Sequence, residues 1–153
     1  MLVQLNRSDR NRAFAPNSTA VPVPGLDRRR SDAVVVVLGQ AGRVAALEKQ
    51  LPAGWSVRFA ASAGAVLPDE IVLISGARED AVRAARAVLS ARTRIVALVD
   101  ESAAAELVTG VLTAGADACV RGGQPAILAS HLVACRRRQL ADRWLNVAGP
   151  SEE

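Results

Sequence analysis

Tyrosine is missing from this sequence, and the whole chain holds only two tryptophans and two phenylalanines. Little aromatic surface is on offer for stacking bases, which argues against direct nucleic-acid binding. Cysteine is nearly as scarce. Cys119 and Cys135 are the only two, too few for a disulfide framework, and they read as small core residues in a reducing compartment. Together with the single histidine, His131, they make no metal-ligand spacing. No stretch approaches the roughly 20 apolar residues of a membrane span. The N-terminus carries no apolar core of signal-peptide length, so the expectation is a cytoplasmic chain without a membrane partner. Lysine occurs once, at Lys49, and that scarcity limits the chemistry open to the chain.

What is present suits one soluble domain. The 153 residues are half hydrophobic and 22% charged, enough to bury a sizeable core. The formal charge of +4 is unevenly spread, because residues 1–32 hold six arginines against Asp9, Asp27 and Asp32. The remainder is close to neutral. Residues 1–32 also carry Pro16, Pro22, Pro24 and the run Arg28–Arg30 without sustained periodicity, and read as a flexible basic leader. Its MLVQL start has the composition of an extra strand.

From Ala33 an alternation of strands and helices begins. AVVVVL (33–38) is a continuous β-branched run, as in a strand buried on both faces. GRVAALEKQL (42–51) repeats apolar residues at helical spacing, and Pro52-Ala-Gly54 stops it. WSVRFAA (55–61) reads as a strand, ASAGAVL (61–67) as a short helix and EIVLIS (70–75) as a buried strand. A helix over 79–91 follows, with Val82, Ala85, Val88 and Leu89 facing the core. Then come a strand (94–99), a helix (102–114) closed by Gly115, a short strand (118–120) and a long helix (124–144). Residues 145–153 read as a tail or the start of a linker. Five strands alternating with helices imply a doubly wound parallel α/β sheet with helices on both faces.

The stretch LTAGADACVRGGQPAILASHLVACRRR (112–138) and PDEIVLIS (68–75) resemble the receiver domain of two-component response regulators, over about residues 33–144. The resemblance implies a flavodoxin-like sheet with strand order 2-1-3-4-5. Receivers hold Mg2+ on two carboxylates after the first strand and take a phosphoryl group on an aspartate ending the third. A Thr or Ser ends their fourth strand and a Lys follows the fifth. Hard divalent cations and phosphoryl transfer need those groups. Carried onto this chain, the strand-one acids fall on Leu38 and Gly39, and the phosphoacceptor on Ser75. The strand-four hydroxyl falls on Val99 or its neighbour Asp100, and the lysine on Gly122. Lys49 lies in the first helical segment and cannot serve. The resemblance therefore implies a degenerate pseudo-receiver with no cofactor, no metal and no catalysis.

Other constellations fail on the residues themselves. LGQAGRVA (38–45) follows a strand, but Ala41 stands at the second glycine of a dinucleotide fingerprint and no acid follows the second strand. Ser75 and His131 do not form a hydrolase triad, since no Gly-x-Ser-x-Gly elbow surrounds Ser75 and His131 falls mid-helix, facing solvent. Arg136–Arg138 reads as a solvated basic face. The sequence thus points to a phosphorylation-independent regulatory domain controlling transcription. In family members with output domains, a DNA-binding helix-turn-helix of the NarL/LuxR type commonly follows, and none follows residue 144 within these 153 residues. The expected partner is a second copy, meeting through Ala104, Val108 and Val111 on one helix and Leu140 and Trp144 on the last. The alternative is a small-ligand or nucleotide-binding flavodoxin-like domain using the strand ends near Gly39, Ser75 and Asp100.

Overall fold

A computed structural model describes residues 32–147. All but the last residue of the expected leader, and the tail from 148, lie outside the described residues. β1 (Val34–Gly39), β2 (Ser56–Phe59), β3 (Ile71–Ser75), β4 (Ile95–Val99) and β5 (Ala118–Arg121) form one sheet in the order β2-β1-β3-β4-β5. Every pairing is parallel. Fold class and strand order are those expected from the sequence.

The continuous apolar runs are long because each strand buries both faces. Along β1 and β3, Val35, Val37, Ile71 and Leu73 serve one core, while Val36, Leu38, Val72 and Ile74 serve the other. This is the two-residue alternation of a pleated strand. The first core is closed by Val44 and Leu47 and by Leu128, Leu132 and Cys135 of α3 (Pro125–Val147). The second is closed by Val82 and Ala85 of α1 (Glu79–Val88) and Val111 of α2 (Ala105–Ala114). Among the described residues no helix is long and apolar enough to cross a membrane.

Several expectations need correction. The segment 42–51 is two 3-10 turns, Ala41–Val44 and Glu48–Gln50, and not an α-helix. Its two buried anchors, Val44 and Leu47, lie three residues apart, which matches the 3-10 period, and Gly42 weakens the α alternative. The helix expected at 61–67 is likewise one 3-10 turn, Ala63–Ala65. Val88 is exposed: α1 ends there, and the extended Leu89 takes the inward position. α3 runs to Val147, past the expected end at 144.

Two polar knots tie the elements together. Asp117, from the Gly-Ala-Asp that leads into β5, accepts from Arg86 Nη2 at 3.1 Å, Arg94 Nη1 at 3.2 Å and the Ile95 backbone N–H at 2.8 Å. Arg94 also reaches Asp142 of α3. Gly115, at φ +130°, turns the chain towards this knot, and a Cβ there would lie 2.9 Å from Arg86 Cγ. The second knot is Glu70, which accepts from Arg58 Nη2 at 2.6 Å and Arg58 Nε at 3.0 Å, and from the Leu67 N–H at 2.7 Å.

The Arg58 hydrogen bonds are the main reason the Glu70 carboxyl is held below its ordinary range, overcoming a smaller opposing effect of burial. A depressed folded value means that the contribution to stability is fully present above the unfolded value of about 4.3 and is lost as pH falls through the folded one. Glu70→Gln should therefore lower stability near neutral pH, by about 1 kcal/mol given that Arg58 is partly exposed. It should also flatten the acid limb of a urea-denaturation series taken from neutral to acidic pH. An acid limb identical to that of the unsubstituted chain would show that Glu70 is not a source of the pH dependence.

Candidate functional site

The C-terminal ends of β1, β3, β4 and β5 bring most of the sequence-chosen positions to one edge of the sheet, where open parallel sheets place their chemistry. Gly39 pairs with Ser75, Ser75 with Leu98, and Val99 with Arg121. Gly39 must be glycine here: its φ is +98°, and a Cβ would lie 2.3 Å from the Ser75 carbonyl oxygen. Gln40 N–H donates to that same oxygen at 3.3 Å.

These positions do not all face one site. Leu38 and Val99 are buried in the core under α1 and α2, where they act as packing residues. Ser75 is only 2% exposed, and its Oγ has no hydrogen-bond partner among the described residues. The side chain is sealed in rather than presented. Gly122 offers only its backbone, with its N–H donating to the Val99 carbonyl at 2.8 Å. His131 is exposed on α3, away from Ser75 in the sequence and on the expected outer face.

Above Ser75 lies an arrangement that the sequence reading missed. A Cβ on Gly76 would lie 3.0 Å from Gln40 Cδ, so the Gln40 side chain packs against the residue that follows β3. Arg43 Nε donates to Gln40 Oε1 and Arg43 Nη1 reaches Asp100 Oδ1 at 3.4 Å. Ser102 Oγ then donates to Asp100 Oδ2 at 2.6 Å. The Ser102 hydroxyl is the main cause holding the Asp100 carboxyl below its usual range, with the Ser102 N–H and Arg43 adding to it. Gln40-Arg43-Asp100-Ser102 thus forms a string across the strand ends. The only cue in the sequence was the three-residue spacing of Gln40 and Arg43, which a 3-10 turn places on one side.

Chemically the string holds an internally neutralised pair, Arg43 with Asp100. Asp100 is the one sequence-chosen carboxylate, and it is already occupied by a guanidinium and a hydroxyl. Among the described residues no group of three or more His, Cys, Asp or Glu side chains could hold a metal ion. Arg121 turns away from the end of β3, donating through Nε and Nη2 to the Ala103 carbonyl at 3.3 and 3.0 Å.

The expected contact residues divide. Ala104 is exposed, Val108 and Leu140 are half-buried, and Trp144 is 58% exposed. Val111 is 0% exposed, inside the domain's own core, and has no surface to give a partner. Its place on α2 turns it towards Val82 and Val99. Arg136 also departs from expectation. It is 6% exposed, with Nη2 donating to the Asp32 carbonyl at 2.7 Å and Nη1 to Gln139 Oε1 at 2.9 Å. Only Arg137 and Arg138 of the basic run are exposed.

Neither a protein-family model nor a curated protein matches the sequence. Solved structures do match the fold. A CheY-like response regulator receiver domain from Methanospirillum hungatei JF-1 superposes with a TM-score of 0.58 at 18% identity, over 73% of this chain and 99% of that one. The beryllofluoride-activated receiver domain of DrrB gives 0.55 at 16% identity, over 71% and 97%. The response regulator ChrA of a heme-sensing two-component system gives 0.51 at 15% identity, over 80% and 69%. The described residues have the receiver-domain fold.

Proposed function

We propose that this chain is a non-catalytic pseudo-receiver: the cytoplasmic regulatory domain of a phosphorylation-independent response regulator, of the NarL/LuxR transcriptional type, working through self-association. One observation carries the reading. A receiver fold is kept while Leu38, Gly39, Ser75 and Gly122 stand where phosphoryl transfer needs two carboxylates, an acceptor aspartate and a lysine. The Gln40-Arg43-Asp100-Ser102 string spans the strand ends instead. With its chemistry gone, such a fold retains its surfaces, and self-association through α2 and α3 is the proposed route by which it signals. Ala104, Val108, Leu140 and Trp144 are the proposed contact residues, and DNA binding would be the work of a separate module.

Incubation with acetyl phosphate, or with beryllofluoride, each with Mg2+, should give no phosphoryl adduct by mass spectrometry and no rise in thermal stability. Ser75→Asp should fail in the same way, because a single carboxylate still lacks its metal-binding and lysine partners. An adduct on the unsubstituted chain, or a Mg2+-dependent stabilisation, would overturn the reading.

A further inference from the structure

Beside the string, and separate from Ser75, a cavity of about 240 Å³ opens between the 41–47 segment and the first turn of α3. Its inner wall is Val44, Leu47, Leu98 and Leu128, each at most 4% exposed, so the cavity reaches down to the first core. Its polar lining is Arg43, Arg121 and Gln124, with no carboxylate among the lining residues, although the Glu101 carboxylate packs against Gly123 at the edge of the wall. Arg43 has Asp100 outside the cavity at 3.4 Å. For Arg121, the hydrogen bonds found among the described residues are to the neutral Ala103 carbonyl.

We propose that this cavity is a binding site for a small organic anion: a carboxylate or phosphate monoester head carried on an apolar body of about one ring. The two guanidiniums supply charge-assisted donors for the head. The four aliphatic side chains take the body, the usual division of labour in a small-molecule pocket. The volume lies below the roughly 300–1,000 Å³ typical of drug-sized ligands, which sets the ligand size. This goes beyond the proposed function, because it supplies the domain with an input that does not depend on phosphoryl transfer. It also gives that input a route. An anion on Arg121 competes for the donors that now hold the Ala103 carbonyl, two residues before the start of α2 at Ala105.

The test uses the full chain and four probes: phenyl phosphate, benzoate, benzyl alcohol and inorganic phosphate, followed by 1H–15N spectra. Either or both aromatic anions should give saturable shifts at Val44, Leu98, Gly122 and Leu128, with a further shift at Ala103. Which of the two binds more tightly identifies the head group. Benzyl alcohol and inorganic phosphate should bind about tenfold more weakly or not at all. Arg121→Gln and Arg43→Gln, both at exposed positions, should each weaken the anions about tenfold, while Arg83→Gln on the far face of α1 should not. The proposal is overturned if neither anion gives saturable shifts, or if benzyl alcohol or inorganic phosphate binds as well as they do. It is equally overturned if binding survives the Arg43→Gln/Arg121→Gln pair. None of these outcomes bears on phosphoryl uptake or self-association, so failure here leaves the pseudo-receiver reading standing.

Discussion

Asp117→Ala should cost the domain about 2–3 kcal/mol and lower its melting temperature by roughly 10 °C. The carboxylate accepts from two guanidiniums and from the N–H of Ile95, a residue that is 0% exposed. Removing one partner of a buried ionic pair typically costs about 3–5 kcal/mol, because the other is left uncompensated. The lower figure applies here for two reasons. Asp117 keeps 23% of its side chain exposed. Arg86 also keeps the carbonyls of Gly115, Ser90 and Thr93, and Arg94 keeps Asp142. Urea unfolding should show a lower midpoint at unchanged slope. Asp117→Asn, which retains an acceptor oxygen, should fall between. A loss for Asp117→Ala within the ordinary surface range of about 0.5 kcal/mol would mean that the knot is not holding α1, β4 and β5 together.

Trp144→Ala should weaken self-association by at least about tenfold. Trp144 is 58% exposed and Leu145 is 71% exposed, on turns of α3 beyond its buried stripe of Leu128, Leu132 and Cys135. Large aromatic side chains with that much exposed area are frequent energetic centres of interfaces. Sedimentation equilibrium at tens of micromolar protein should report a dimer for the unsubstituted chain and a shift towards monomer for the variant. A clean monomer for the unsubstituted chain would remove self-association from the proposed function. The same experiment with Val108→Asp separates the α2 side of the contact from the α3 side.

The sheet was legible because burial on both faces writes itself directly into β-branched runs such as the four valines of β1, Val34 to Val37. The long last helix was legible for a similar reason: Leu128, Leu132 and Cys135 recur at one face and are all buried. Segment 42–51 was misread because Val44 and Leu47 satisfy an α-helical and a 3-10 period equally well, and packing decided between them. Arg136 was misread because three consecutive arginines look alike in sequence. Only the carbonyls of Asp32 and Asp69, supplied from far away in the chain, single one of them out for burial. The proposed loss of acids at Leu38 and Gly39, and of a lysine at Gly122, rests on residue identity alone. The string across the strand ends could not be read that way, since Arg43 and Asp100 are 57 residues apart. The cavity depends on the same long-range closure and left no mark on local pattern.

Arg136 has a mechanical consequence. It lies eleven residues from each end of α3, so the helix extends about 16 Å to either side of the point where its guanidinium grips the Asp32 and Asp69 carbonyls. That places the grip at the midpoint of α3, with one half reaching Pro125 on the cavity and the other carrying Trp144. Those carbonyls stand just ahead of β1 and β3, so both halves of the helix share one anchor on the middle of the sheet.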